Sequence, residues 1–108
     1  MLNNIDVSKI LFLDVETVPI CYEFEALEEK TKFLWDKKTK YLQERDRLTA
    51  EDVYEKAGIY AEFGKIICIS VGFLVQVKGE AQIRLKSFAN KNEKLLLQEF
   101  IDLLNSYY

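Results

Sequence analysis

The stretch ILFLDVETVP, residues 10–19, decides how the rest of the chain is read. From Ile10 to Val15 it is a short apolar run broken only by Asp14, the pattern of a β-strand covered on both faces. Side chains alternate along a strand, so Ile10, Phe12, Asp14 and Glu16 share one face and Leu11, Leu13 and Val15 the other. Pro19 has no N–H to offer a neighbouring strand and marks the end. A buried, unpaired carboxylate is costly, so an acid at this position needs a partner, a cation or water.

Working outward, the composition changes between Tyr22 and about Arg47. Leu27, Thr31, Leu34, Tyr41 and Arg45 recur at helical spacing, with Trp35 and Lys38 beside that stripe. Glu28–Lys32 and Asp36–Lys40 are acid-first pairs four residues apart, which favours an exposed helix. Thr49 followed by Asp52 reads as a relaxed capping box for a second, short helix fraying near Gly58. KIICISVGFLVQV, residues 65–77, is the second strand, and Lys78-Gly79 a turn. AQIRLKSF, residues 81–88, alternates Ile83 and Leu85 against Arg84 and Lys86, as an edge strand with one wet face does. Asn90 is expected to cap a helix from about Lys91 to Ser106. Its apolar stripes are Leu97, Ile101, Leu104, Tyr108 and, adjacent, Leu96, Phe100, Leu103, Tyr107. The order of strand, two helices, strand, strand, helix places the chain in the α/β class.

The totals narrow the chemistry. The 108 residues suit a single domain, and 49% hydrophobic with 31% charged residues is the balance of an ordinary globular protein. Formal net charge is −3, so no global basic field marks a nucleic-acid binder. With no histidine and no CxxC spacing, Cys/His zinc sites and Ser-His or Cys-His catalytic pairs are excluded. Cys21 and Cys68 read as free core thiols. No apolar stretch reaches a membrane span, MLNNIDVSK lacks a signal-peptide pattern, and the expected compartment is the cytoplasm. The basic residues Lys37, Lys38, Lys40, Arg45 and Arg47 are offset by Asp36, Glu44 and Asp46, which describes a solvated helix face. Trp35 reads as a core anchor rather than a base-stacking platform, and Gly72 as a bulge or a close approach.

Asp14 and Glu16 together offer hard oxygen donors at the end of one strand face. Mg²⁺ and Mn²⁺ prefer such donors, and Mg²⁺ typically takes one or two carboxylates with waters and phosphate oxygens. Alone, Asp-x-Glu also describes two acids where a strand enters solvent. The apolar run before it and Thr17-Val18-Pro19 after it make it more specific.

ILFLDVETVP resembles the first exonuclease motif of the DEDD superfamily, whose fold is ribonuclease H-like. AGIYAEFGKIICISVGF, residues 57–73, resembles the branch of 3′–5′ exonucleases related to the proofreading domain of family-B DNA polymerases. That branch also inserts helices between its first two strands, matching a helical insertion at about 22–60. The resemblance covers essentially the whole chain and implies an N-terminal portion of a ribonuclease H-like domain. It implies that Asp14 bridges two Mg²⁺ or Mn²⁺ ions and that Glu16 binds the nucleophile-side ion. Thr17 and the Val15 backbone would contact the terminal nucleotide at the 3′ end of a DNA or RNA strand. The family's remaining acids and its water-orienting Tyr or His have no match, because the later acids fall on a turn or a polar helix face and Tyr107 and Tyr108 have core spacing. Half a metal site is therefore expected, and an inactive fragment if the chain stops there. In the complete family sheet the first strand is central; without its parallel neighbour it becomes an exposed apolar edge prone to self-association. DVETV also resembles the Asp-x-Asp-x-Thr/Val motif of haloacid-dehalogenase phosphatases, apart from Glu16. A third reading is a non-catalytic fragment that pairs with a partner through its open sheet edge.

Overall fold

The opening run does become a strand, in a computed structural model that describes residues 2–107. The elements are β1 (Leu11–Pro19), α1 (Glu29–Lys38), α2 (Lys40–Asp46), β2 (Gly64–Val77), β3 (Glu80–Ala89) and α3 (Glu93–Tyr107), with short 3₁₀ segments including Asp52–Ile59. The fold is mixed α/β with a three-stranded antiparallel sheet. Two compact units divide the chain: residues up to Glu16 with those from Ile66 onward, and Thr17–Lys65.

In the first unit the strand order is β1-β2-β3. β2 and β3 pair without interruption from Cys68 opposite Ala89 to Val77 opposite Glu80. Lys78 and Gly79 close the hairpin with φ of 51° and 83°, the two positive values a primed two-residue turn requires. Because the register runs unbroken past Gly72, that glycine marks no bulge. It marks a close approach: a Cβ there would sit 3.0 Å from Leu85 Cδ2 and 3.9 Å from Phe12 Cβ.

One sheet face carries Ile69, Val71 and Phe88, and α3 buries Leu96 and Leu103 against it, with Leu11, Ile66, Leu97 and Phe100 partly buried around them. Leu96, Phe100 and Leu103 follow the helical period, so one of the two expected stripes forms the contact. The stripe does not extend to its end. Tyr107 is 72% exposed rather than core, and Tyr108 lies outside the described residues. The helix also starts later than expected. Asn90 Oδ1 accepts the Asn92 N–H at 2.8 Å in a turn, and Asn92 Oδ1, at 3.3 Å from the Leu95 nitrogen, is the cap. Glu93 Oε2 then accepts the Ile66 N–H at 2.6 Å, tying the first turn of α3 to β2.

β1 lies at the edge of the sheet, although its composition reads as a strand covered on both faces. Phe12 is 55% exposed, and Leu13 and Val15 are exposed as well. On β3, Ile83 and Leu85 are exposed too, so both of its faces are wet over most of its length.

The second unit is built around Trp35, which is 0% exposed. Its ring meets Tyr54, Tyr60 and Phe63 edge-on at centroid distances of 5.6, 5.5 and 5.0 Å, and its indole N–H donates to the Ala50 carbonyl at 2.8 Å. This cluster overrides most of the stripe expected from spacing: Leu27 of that stripe is buried, but Leu34 and Tyr41 are exposed, and Trp35 and Thr39 are buried instead. The expected long helix is broken at Thr39, whose hydroxyl donates back to the Trp35 carbonyl at 2.8 Å and accepts from Gln43 Nε2 at 3.0 Å. Residues before Glu29 form only a 3₁₀ turn, Phe24–Ala26. The Thr49–Asp52 box is present in both directions. Asp52 Oδ2 accepts the Thr49 N–H at 2.9 Å, and Thr49 Oγ1 accepts the Asp52 N–H at 3.2 Å. Among the described residues no helix is long and apolar enough to cross a membrane.

Candidate functional site

Asp14 and Glu16 stand on β1 two residues apart, so alternation sets both on the same side of the strand as Phe12. Phe12 Cβ faces the Gly72 position on β2, which identifies that side as the sheet face turned away from α3. Both acids are exposed, and among the described residues neither side chain takes part in a hydrogen bond or ion pair. A groove of about 320 Å³ runs beside Asp14, lined by Phe12, Asp14, Ser70, Gly72, Leu85 and Ser87 among others, and Glu16 is not part of its lining. Ser70 and Ser87 share a hydrogen bond of 2.8 Å across its floor. Val15 falls on the opposite side of the strand from the two acids. A larger hollow of about 540 Å³, lined by Lys86, Glu99, Asp102 and Tyr107 among others, contains neither motif carboxylate.

Thr17 belongs to the second unit, and its hydroxyl donates to the Gly58 carbonyl at 2.5 Å. Gly58 is needed at this spot, since a Cβ there would lie 3.3 Å from the Val18 backbone and 3.4 Å from the Thr17 carbonyl oxygen. Gly64 is tighter still: its Cβ would fall 2.8 Å from the Gly58 oxygen. These two glycines let residues 58–64 fold against themselves and against Thr17-Val18. Sequence reasoning took Gly58 for a helix end and missed the contact; the only signal was a pair of glycines six residues apart before a strand. With its proton engaged, the Thr17 oxygen keeps lone pairs with which to accept a hydrogen bond.

The chemistry available is that of two free carboxylates with hydroxyls nearby. Their oxygens suit a hard divalent cation, since among the described residues neither is committed to another cation. Among the described residues no group of three or more His, Cys, Asp or Glu side chains comes together. The basic stretch is largely engaged with acids. Lys38 Nζ pairs with Glu62 at 2.7 Å, Lys40 with Asp36 at 3.4 Å and Arg45 with Asp46 at 2.8 Å. The Lys38 hydrogen bond holds the Glu62 carboxyl below its ordinary pKa and raises that of Lys38. Buried Trp35 has no ring face for a base. Cys21 and Cys68 are both free and half-buried.

The chain matches no protein-family model, no curated protein and no solved structure.

Proposed function

We propose that the chain carries the first motif of a metal-dependent 3′–5′ exonuclease acting on nucleic-acid phosphodiesters, with a ribonuclease H-like organisation around β1. The observation that carries this reading is the pair Asp14 and Glu16: neighbours on one strand face, exposed and without a partner among the described residues, in a sequence context that resembles the DEDD motif. Asp14 would hold both ions and Glu16 the one on the nucleophile side. Bound Mg²⁺ or Mn²⁺ would supply an activated water and charge stabilisation at the leaving oxygen. The chain's own residues hold and orient. Gly58 fixes the Thr17 hydroxyl, leaving its oxygen to accept from the sugar end of a strand, while the Val15 backbone lies between the two acids. The antiparallel pairing of β2 with β3 supports this reading over the phosphatase resemblance, whose fold needs a parallel sheet.

Calorimetric titration with Mn²⁺ tests it. Asp14→Asn and Glu16→Gln are each expected to weaken Mn²⁺ binding by about tenfold or more, roughly 1.4 kcal/mol. Equal binding by wild type and both variants would overturn the reading. A phosphorylated Asp14 after incubation with a small phosphate donor would transfer support to the phosphatase class.

A further inference from the structure

We propose that β1 of one molecule adds to the outer edge of β3 of a second copy, antiparallel, extending the sheet from molecule to molecule. Only the first unit takes part, and the joint does not depend on the carboxylates binding metal.

Among the described residues both edges of the three-stranded sheet are open, and each alternates charge with apolar side chains. On β1, Asp14 and Glu16 lie on the face away from α3, and Leu13 and Val15 on the face toward it. On β3 the assignment is reversed. Phe88 packs under α3, so Lys86 and Arg84 lie on the α3 face, while Leu85, which meets Gly72, lies on the other with Ile83. Arg84 and Lys86 have no salt bridge among the described residues, and Leu85 is 80% exposed.

Consider the ways two such edges can meet. β1 has the same direction as β3, since each is antiparallel to β2. Setting β1 of a second copy antiparallel to β3 requires turning that copy over about an axis across the strands, and the turn exchanges its two faces. The exchange brings acids level with bases and Leu13 and Val15 level with Leu85 and Ile83. One register places Asp14 opposite Lys86, Val15 opposite Leu85 and Glu16 opposite Arg84. Directly opposed unlike charges and apolar pairs stabilise a sheet, whereas like charges destabilise it. Parallel addition would leave the faces unexchanged and set carboxylates among Leu85 and Ile83. Two β1 edges meeting antiparallel would gather four carboxylates on one face, and two β3 edges would gather the basic residues. Charge complementarity therefore selects the β1–β3 joint, which is head-to-tail and leaves a free edge at each end for further copies.

Sedimentation velocity over a range of protein concentrations tests this with charge reversals at exposed positions. Wild type is expected to form species beyond a dimer at low salt, dissociating in about 1 M salt, where the Debye length is about 3 Å. Arg84→Glu/Lys86→Glu leaves two acidic edges and Asp14→Lys/Glu16→Lys two basic ones, so each alone should remain monomeric. Mixing the two, or combining all four changes in one chain, should restore association. Wild type that stays monomeric throughout, or variants that associate as wild type does, would overturn the proposal. Should a charge variant fail to fold, disulfide trapping decides. With Cys21 and Cys68 changed to Ser, Val15→Cys/Leu85→Cys should oxidise to a ladder of covalent multimers and Val15→Cys alone should stay monomeric. Dimers of the single variant would mean β1 pairs with itself and the proposal is wrong.

Discussion

A methyl group added at Gly64 would meet the Gly58 carbonyl oxygen at 2.8 Å, whereas one added at Gly72 would meet a Leu85 methyl at 3.0 Å. The first neighbour is backbone and cannot turn aside; the second is the end of an exposed side chain that can. Gly64→Ala should therefore lose about 1–3 kcal/mol, the usual range for overpacking. Gly72→Ala should lose clearly less: Gly72 is itself buried, but the exposed Leu85 side chain beside it can swing aside. Urea unfolding midpoints separate the two cases. Both glycines were plain in the sequence, but what hems them in was not. Gly72 offered a choice between bulge and close packing that only the register settles, and Gly58 looked like the end of a helix. The pairing of Asp14 with Glu16 was legible because strand alternation is a local rule. The Thr17–Gly58 bond was not, since it joins residues 41 positions apart.

At the scale of elements, the Thr49–Asp52 box shows how far a local signal carries. The motif was readable, and both of its hydrogen bonds exist, although the segment it opens is a 3₁₀ helix. The Thr49 backbone N–H holds the Asp52 carboxyl below its ordinary pKa of 3.8. A depressed carboxylate stabilises the fold fully above that unfolded-chain value, and the contribution is lost as pH falls through the lower folded-state value. Thermal midpoints of wild type and Asp52→Asn should thus differ at neutral pH and converge in that acid range. The helices α1 and α2 were less legible. Their periodic polar sequence indicated helix but neither the break at Thr39 nor the buried side, because one large indole and the downstream aromatics Tyr54, Tyr60 and Phe63 outweigh several smaller apolar residues. Trp35→Phe would forfeit the bond to the Ala50 carbonyl and leave that partly buried acceptor without its indole donor. A loss of about 1–3 kcal/mol is expected, read by chemical denaturation.

For the molecule as a whole, strand and helix order followed from turns and apolar runs, but the exposure of β1 did not. An apolar strand looks the same in sequence whether it has one neighbour or two. The same two carboxylates bear on both proposals, which gives a joint test: if they bind Mn²⁺ and also meet Arg84 and Lys86 of another copy, the two events compete. Mn²⁺ should then shift the sedimentation of wild type toward monomer, and by reciprocity a higher protein concentration should weaken apparent Mn²⁺ affinity. The second unit has a consequence of a different kind. Near the two ends of this unit's chain, the Ile20 N–H bonds the Phe63 carbonyl at 2.9 Å. Closing a free loop of roughly fifty residues costs about 3.5 kcal/mol of chain entropy before any constant. With its two ends pinned together, the aromatic cluster can melt and recondense without searching for its place in the chain. Evolution can lengthen, trim or exchange such a tethered module without rethreading a single strand.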